Sequence, residues 1–432
     1  MFRHSFLALA LAAMTPIVAV AEAPQPGNSA VPATPSSLTL TDAVDRVLRN
    51  NPALQAAVYS LRAQEARRDQ AALKPAWHAT LEAENFLGSG SLRNGRGLET
   101  TLRLGTVIER GDKRTRRIDE SDSERALLVA DQDVARLDLL AEVARRFIHV
   151  VSDQESIALT ERATALARRS VELVEQRVRA AKAGDAELGK TRVTLARAEI
   201  AAEHAEHELK SSRIALAATW NAREAGFDRV DAAFYTLPEP ESFDALIAGL
   251  ERNPNLARFA SAQRLEDARI AVARANRSAD ISFNAGIRRV EAQSDQAFVL
   301  SVTVPFGSAS RAAPFEREAE QRREAVDAEA SGVRTDLYRT LYAVYQELLH
   351  ARTQADTLRT RVIPESERTL KLTEQGFAVG RYSYLELVDA QQQLLTVQRE
   401  AIDAAREYHL LYVELERLVG RSVDTAAMEK NS

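Results

Sequence analysis

Two carboxylates, Glu386 and Asp389, stand three residues apart at the start of the last strongly helical stretch of the chain, so they share one helix face. Repeated around an oligomer, such a pair makes stacked rings of negative charge, which favour cations at a pore mouth and set a constriction. Read locally, the same carboxylates suit a helix start, where the dipole welcomes them. A second candidate is His204-x-x-His207, flanked by Glu203, Glu206 and Glu208. Histidines at this spacing can ligate a transition metal, but on so charged a helix the simpler reading is a solvated face, and neither a metal site nor a cofactor is assigned. Nothing supports catalysis: there is no cysteine, and no nucleophile motif, phosphate-binding glycine loop or His-Glu-x-x-His zinc motif. The net charge of −5 lacks the basic excess that neutralises nucleic-acid phosphates, so no nucleic-acid partner is expected.

The elements that must position these residues alternate between two periods. Arg3 and His4 precede an apolar run from Phe6 to Val20 that ends in the small-x-small signal Ala19-Val20-Ala21, so residues 1–21 read as a cleaved export leader. Residues 22–37, rich in Pro, Ser and Ala, read as a flexible arm. A helix capped by Thr41 is expected to run to about Leu73. Then polar and apolar residues alternate one by one over about 78–87 and 98–108, as two-faced strands require, with a glycine-rich loop between them. From about Asp112 to Lys182 the helical period returns without a proline; at 1.5 Å per residue that is roughly 100 Å, too long for a compact domain. Gly184 breaks the run, and a returning helix follows from about Glu187 to Trp220 with coiled-coil spacing.

The scheme then repeats. Asn51-Pro52-x-Leu54 returns as Asn253-Pro254-x-Leu256, 202 residues later. Strands are expected at about 280–290 and 297–306, a long helix from about Arg311 to Phe377, a break at Gly380 and a last returning helix. The divisions are therefore 38–222 for the first repeat, 223–241 for a linker, 242–420 for the second repeat and 421–432 for a loose tail. Both helix breaks are expected to use the positive φ that glycine supplies.

Each strand pair goes out and comes back, leaving all helices on one side of whatever it crosses. Four strands cannot close a barrel, and open edges in lipid leave backbone groups unpaired at several kcal/mol each. Other chains must therefore contribute: two copies give the smallest stable barrels, and three give twelve strands with a wider bore. Trp77, Phe86, Phe298 and Phe306 lie at or near the strand ends, where aromatics favour the lipid–water interface.

With these features in place, the chain resembles the TolC-like outer-membrane efflux factors over nearly its whole mature length. The most specific stretch is Ile363-Pro364-Glu365 followed by Gly376-Phe377-Ala378-Val379-Gly380-Arg381-Tyr382-Ser383-Tyr384-Leu385-Glu386-Leu387-Val388-Asp389-Ala390-Gln391, which is similar to the family's second hairpin tip. Ile108-Glu109-Arg110-Gly111-Asp112-Lys113-Arg114 is similar to the cobalt-zinc-cadmium (CzcC-type) branch, which usually has two glycines before the lysine. The resemblance implies a mainly α fold with a small β part: a homotrimer whose twelve strands form an outer-membrane barrel in lipid, continued by a long periplasmic helical barrel. It implies docking on a periplasmic adaptor (membrane fusion protein) fed by a proton-driven inner-membrane RND pump. It places Glu386 and Asp389 on the acidic gate, Arg381 and Tyr382 on the latch of the closed end, and Gly184 and Gly380 on the adaptor-facing tips. By the tip-to-tip shift of 196, Lys190 would correspond to Glu386 and pair with it across adjacent hairpins. The implied function is passive conduction of divalent heavy-metal cations outward. The alternatives are a duct for drugs or secreted protein, or a soluble periplasmic coiled-coil adaptor.

Overall fold

The computed structural model describes residues 37–422. The expected leader, nearly all of the arm and all but two residues of the tail lie outside the described residues.

The chain opens with the short strand β1 (Ser37–Leu38) and helix α1 (Leu40–Asn50), whose Leu40, Ala43 and Val47 are buried on one face. Its cap is Thr39 rather than Thr41: the Thr39 hydroxyl accepts from the Asp42 amide at 3.1 Å while the Asp42 carboxylate reaches back to the Thr39 amide. The single helix expected to reach Leu73 is instead two, because Asn51 is extended (ψ 125°) before Pro52, where the proline ring disfavours helical geometry. Helix α2 (Pro52–Ala71) starts there, and the Asn51 side chain caps it by accepting from Ala53 and Leu54 at 2.8 and 3.2 Å. Asn253 does likewise for α6 (Pro254–Ala275), accepting from Asn255 at 2.7 Å. Both are buried, and each donates its amide to the end of its own repeat's returning helix: Asn51 to the Thr219 carbonyl at 2.8 Å, Asn253 to the Leu418 carbonyl at 2.6 Å. The repeated Asn-Pro pair is thus a double cap that closes each half of the chain on itself.

Strands β2 (His78–Glu84) and β3 (Glu99–Ile108) form the first hairpin, joined through a 3-10 turn at Gly90–Gly95. The 67-residue helix α3 (Lys113–Arg179) follows, then α4 (Asp185–Ala218). The second half has α5 (Phe243–Leu250) and α6, strands β5 (Ile281–Val290) and β6 (Asp295–Thr303), then α7 (Ser308–Thr357), α8 (Ile363–Ala378) and α9 (Tyr384–Leu418). The expected helix 311–377 is divided by a π turn at Leu358–Val362. Pro364 explains it: the residue has no N–H to give and its ring crowds the carbonyl of Thr360, so the helix widens just ahead of it.

The two hairpins join into one antiparallel sheet in the order β2-β3-β5-β6, with Leu102 opposite both Leu81 and Ile287. The helices form one layer: α3 packs on α2 and α6 near the sheet and on α4 and α9 farther away, and α7 packs on α6 and α9. The edges of this layer are α2 and α4 on one side and α7 with α8 on the other.

The linker 223–241 is structured. It carries β4 (Arg229–Val230), parallel to β1, which the sequence reading did not foresee. Gln154 of α3 clamps its backbone, donating to the Val230 carbonyl at 3.0 Å and accepting from the Val230 amide at 2.8 Å. His409 bonds the Phe234 carbonyl at 2.7 Å, the Tyr408 hydroxyl donates to Pro238, and Arg359, in the π turn, donates to the Tyr235 carbonyl at 2.9 Å. Apolar linker residues Phe227, Val230 and Phe234 complete a core with α1, mid-α3 and α9. This strap belts the helical layer at mid-height.

Candidate functional site

The sheet has two chemically opposed faces. Alternation puts Leu81, Leu102, Leu104, Phe283, Ile287, Phe298 and Leu300 on one side, and Phe298 there is 93% exposed. The other side carries an ion ladder. Glu82 pairs with Arg103 at 2.5 Å, and Arg288 bridges Glu99 at 2.9 Å and Glu84 at 3.3 Å while donating to the Thr101 hydroxyl at 3.0 Å. His78 meets Asn284 at 3.1 Å. Gly105 is required beneath that pair, since a Cβ there would come within 2.0 Å of the Asn284 side chain. An exposed apolar face backed by a charged one is the pattern of a lipid-facing wall with a wet interior. The outer edges of β2 and β6 have no strand partner among the described residues.

At the far end stand two helical hairpins with the same turn. At the second, Gly380 (φ +81°) donates to the Phe377 carbonyl at 3.1 Å and Arg381 to the Gly376 carbonyl at 2.8 Å, a Schellman closure. At the first, the left-handed residue is Ala181 (φ +52°), with the equivalent bonds Ala181 to Val178 at 2.9 Å and Lys182 to Arg177 at 2.8 Å. The expectation that Gly184 supplies the positive φ is therefore corrected: Gly184 is the extended N-cap of α4 (φ −96°, ψ 158°). Gly380 follows Ala181 by 199 residues, and the α9 cap Ser383 follows Gly184 by 199 as well. This register replaces the shift of 196: Glu187 matches Glu386, and Lys190 matches Asp389.

The expected gate residues occupy different situations. Glu386 closes a capping box, its carboxylate accepting from the Ser383 amide at 2.7 Å and hydroxyl at 2.8 Å. That backbone N–H, and then the hydroxyl, hold its carboxyl below the usual glutamate range. Asp389, exposed one turn on, has no hydrogen-bond or ion-pair partner among the described residues, so its charge is the freely presented one of the two. Tyr382 lays its ring on Gly376, where a Cβ would come within 2.1 Å, and so covers the helix end. The Arg381 side chain is exposed and unpaired among the described residues, while its amide completes the turn. His204 and His207 are tied to Glu208 at 3.3 Å and Glu203 at 3.7 Å on the same helix, and no metal-holding group of three or more ligands occurs among the described residues.

Arg177, which sequence reasoning missed, links the hairpins. It donates to the Phe377 carbonyl at 2.9 Å and lies over the Phe377 ring at 4.3 Å. The only signal was a cation in the last turn of α3, which most helices carry. Between α4 and α9 lies a groove of about 670 Å³ lined by Gly189, Lys190, Val193, Tyr384, Leu385 and Val388. The Tyr384 phenol, bonded to Thr194 across it, is pushed up by burial.

At the sheet–helix joint, Gly111 (φ +75°) and Asp112 (φ +56°) are consecutive left-handed residues. A run of two glycines fits that backbone without strain, and Asp is among the few side chains that tolerate it. Lys113 then pairs with Asp280 at 2.8 Å, and Arg117 grips Glu109 at 2.5 and 3.0 Å.

A sheet apolar outside, ionic inside and open at both edges, continued by helical hairpins, defines a subunit of a β-barrel channel with a helical extension. The chain belongs to the outer membrane efflux protein family, which it matches over residues 43–222 and 248–421. It is 27% identical to the cobalt-zinc-cadmium resistance protein CzcC of Cupriavidus metallidurans, over 96% of this chain and 98% of that one. Its fold is that of CusC (TM-score 0.73, 16% identity, 89% of this chain and 92% of the other). The outer membrane protein VceC of Vibrio cholerae is similar as well (TM-score 0.70, 16% identity, 89% and 97%).

Proposed function

We propose that this chain is the trimeric outer-membrane channel of a tripartite RND-type efflux system and passes divalent heavy-metal cations outward. The observation that carries the channel is the sheet with two unsatisfied edges. In a three-fold ring the β2 edge of one copy meets the β6 edge of the next, and the α2/α4 edge of the helical layer meets the α7/α8 edge, so one head-to-tail contact closes both barrels. The end-to-end similarity to a cobalt-zinc-cadmium resistance protein supports the cargo.

Inside the barrel, Arg103 and Arg288 offset two of the three carboxylates Glu82, Glu84 and Glu99, so the ladder leaves one net negative charge per copy on a wet wall. Preference for cations is reinforced at the tips, where Asp389 of each copy lines the mouth with Glu386 behind it and Arg381 and Tyr382 at the turn. Gly184 and Gly380 sit where a periplasmic adaptor would dock. No step needs chemistry from the chain: it conducts, and the pump supplies the work.

The test is a deletion strain challenged with cobalt, zinc and cadmium, complemented by the wild-type chain. Restored metal tolerance is expected. Unchanged metal tolerance with lost tolerance to organic drugs would overturn the cargo, and recovery of the chain in the soluble periplasm would overturn the channel.

A further inference from the structure

The end of the sheet nearest the helices carries charges that conduction does not use. Continued alternation places Trp77, Ile108, Arg110 and Phe306 on the apolar side, in line with Leu81, Leu104 and Leu300. Trp77 is 64% exposed and Phe306 94%, and Leu73, just past α2, and Phe315, in α7, are exposed as well. Around this aromatic row stand four cations without a carboxylate partner among the described residues: Lys74, Arg110, Arg114 and Arg311.

His78 lies opposite Gly105, so the same alternation sets Lys74 opposite Glu109 on the ionic side, while Arg114 bonds the Ala72 carbonyl at 2.5 Å. The Arg110 amide reaches Asp280 at 3.1 Å, at the foot of β5, whose partner β6 leads to Phe306 and Arg311.

Neighbouring cations in this rim are neutralised. Lys113 is held by Asp280, Arg117 by Glu109, Arg274 by Glu320 at 3.0 Å and Arg277 by Glu316 at 3.8 Å. The rim therefore leaves an excess of free cations: Lys74, Arg110, Arg114 and Arg311, with Arg67 near the end of α2, against Asp69 and Asp112 as unpaired carboxylates among the described residues. A buried or paired role would have matched these cations with acids, as the chain does a few residues away.

We infer that this rim is a binding belt for the headgroups of anionic phospholipids in the inner leaflet of the outer membrane. Trp77 and Phe306 sit at the acyl boundary and Arg110 and Arg311 grip the phosphates. In a closed ring Phe306 and Arg311 of one copy stand beside Trp77 of the next, so one bound lipid spans a subunit seam. Each cation near an anionic surface strengthens association about fivefold. The inference rests on the membrane assignment above, and the experiment separates the two.

The purified detergent-solubilised assembly is titrated with phosphatidylglycerol, with phosphatidylcholine and with inorganic phosphate, reading retained lipid by native mass spectrometry and the unfolding midpoint in parallel. Wild type is expected to retain phosphatidylglycerol at least about tenfold over phosphatidylcholine and to gain midpoint with it. The variant Arg110→Gln/Arg311→Gln should lose that preference, and the charge-keeping Arg110→Lys/Arg311→Lys should retain it, which guards against simple misfolding. An inserted glutamine variant with its preference intact would overturn the belt while leaving the channel standing. Equal midpoint gain from inorganic phosphate would overturn the headgroup assignment. A wild-type chain that never enters membranes would remove the channel and the belt together.

Discussion

Ala181 holds φ +52° at the first hairpin turn, where the second hairpin has Gly380 at +81°. An L-residue in this region costs roughly 1–2 kcal/mol, and glycine gives back part of the relief, about 0.5–1 kcal/mol, through its freer unfolded chain. The Ala181 methyl is exposed, so little packing is lost with it. Ala181→Gly should therefore stabilise the first tip by about 0.5–1 kcal/mol, and Gly380→Ala, whose Cβ would meet nothing within 4 Å, should destabilise the second by a similar amount for the reverse reason. Hydrogen exchange reads both locally. The Lys182 amide, bonded to the Arg177 carbonyl at 2.8 Å, should exchange about threefold more slowly in Ala181→Gly, since 1.4 kcal/mol is a factor of ten. The Arg381 amide should exchange about threefold faster in Gly380→Ala. Gly184→Ser serves as the discriminating control, because an extended N-cap accepts serine and gains a hydroxyl acceptor. If Gly184→Ser loosened the first tip while Ala181→Gly left it unchanged, the turn would be built on Gly184 and the 199-residue register would be wrong.

Asp112→Gly should raise the unfolding midpoint of the detergent-solubilised protein, by about 0.5–1 kcal/mol of stability, whereas Gly111→Ala should lower it, since its Cβ would fall 2.5 Å from the Ser278 hydroxyl. In planar-bilayer recordings Asp389→Asn should reduce cation selectivity, while Glu386→Gln should leave most of it and instead loosen the start of α9; equal effects would refute the division of roles. Because the Glu386 carboxyl is held below its ordinary range, its contribution to the tip should be complete above about pH 4.3 and lost as pH falls through its lowered value. Exchange of the Ser383 amide against pH checks this. Arg177→Ala should cost roughly 1–2 kcal/mol at the joint between the hairpins, seen as faster exchange over residues 377–382, and an unperturbed second tip would show that the two tips are independent.

Much of this architecture was legible because period and punctuation are local properties. The four strands appear where polar and apolar residues alternate, and the first long helix where prolines are missing, since a strand or helix must present its faces at its own spacing. The Asn-Pro repeat likewise announced two equivalent halves, although its double-capping role required knowing which carbonyls come within reach. What the chain alone could not settle depends on contacts distant in sequence. Gly184 looked like the turn because glycine suits positive φ, yet Ala181 takes that conformation where the hairpin closes. Glu386 and Asp389 looked equivalent until the cap at Ser383 claimed one of them. Segment 223–241 read only as a linker between the halves because its two-residue strand is too short to show a period, and its order comes from Gln154, Tyr408 and His409 on other elements. Local sequence decides which face a residue occupies; only the folded layer decides what stands opposite, and that second fact determines whether a charge is capped, paired or left free.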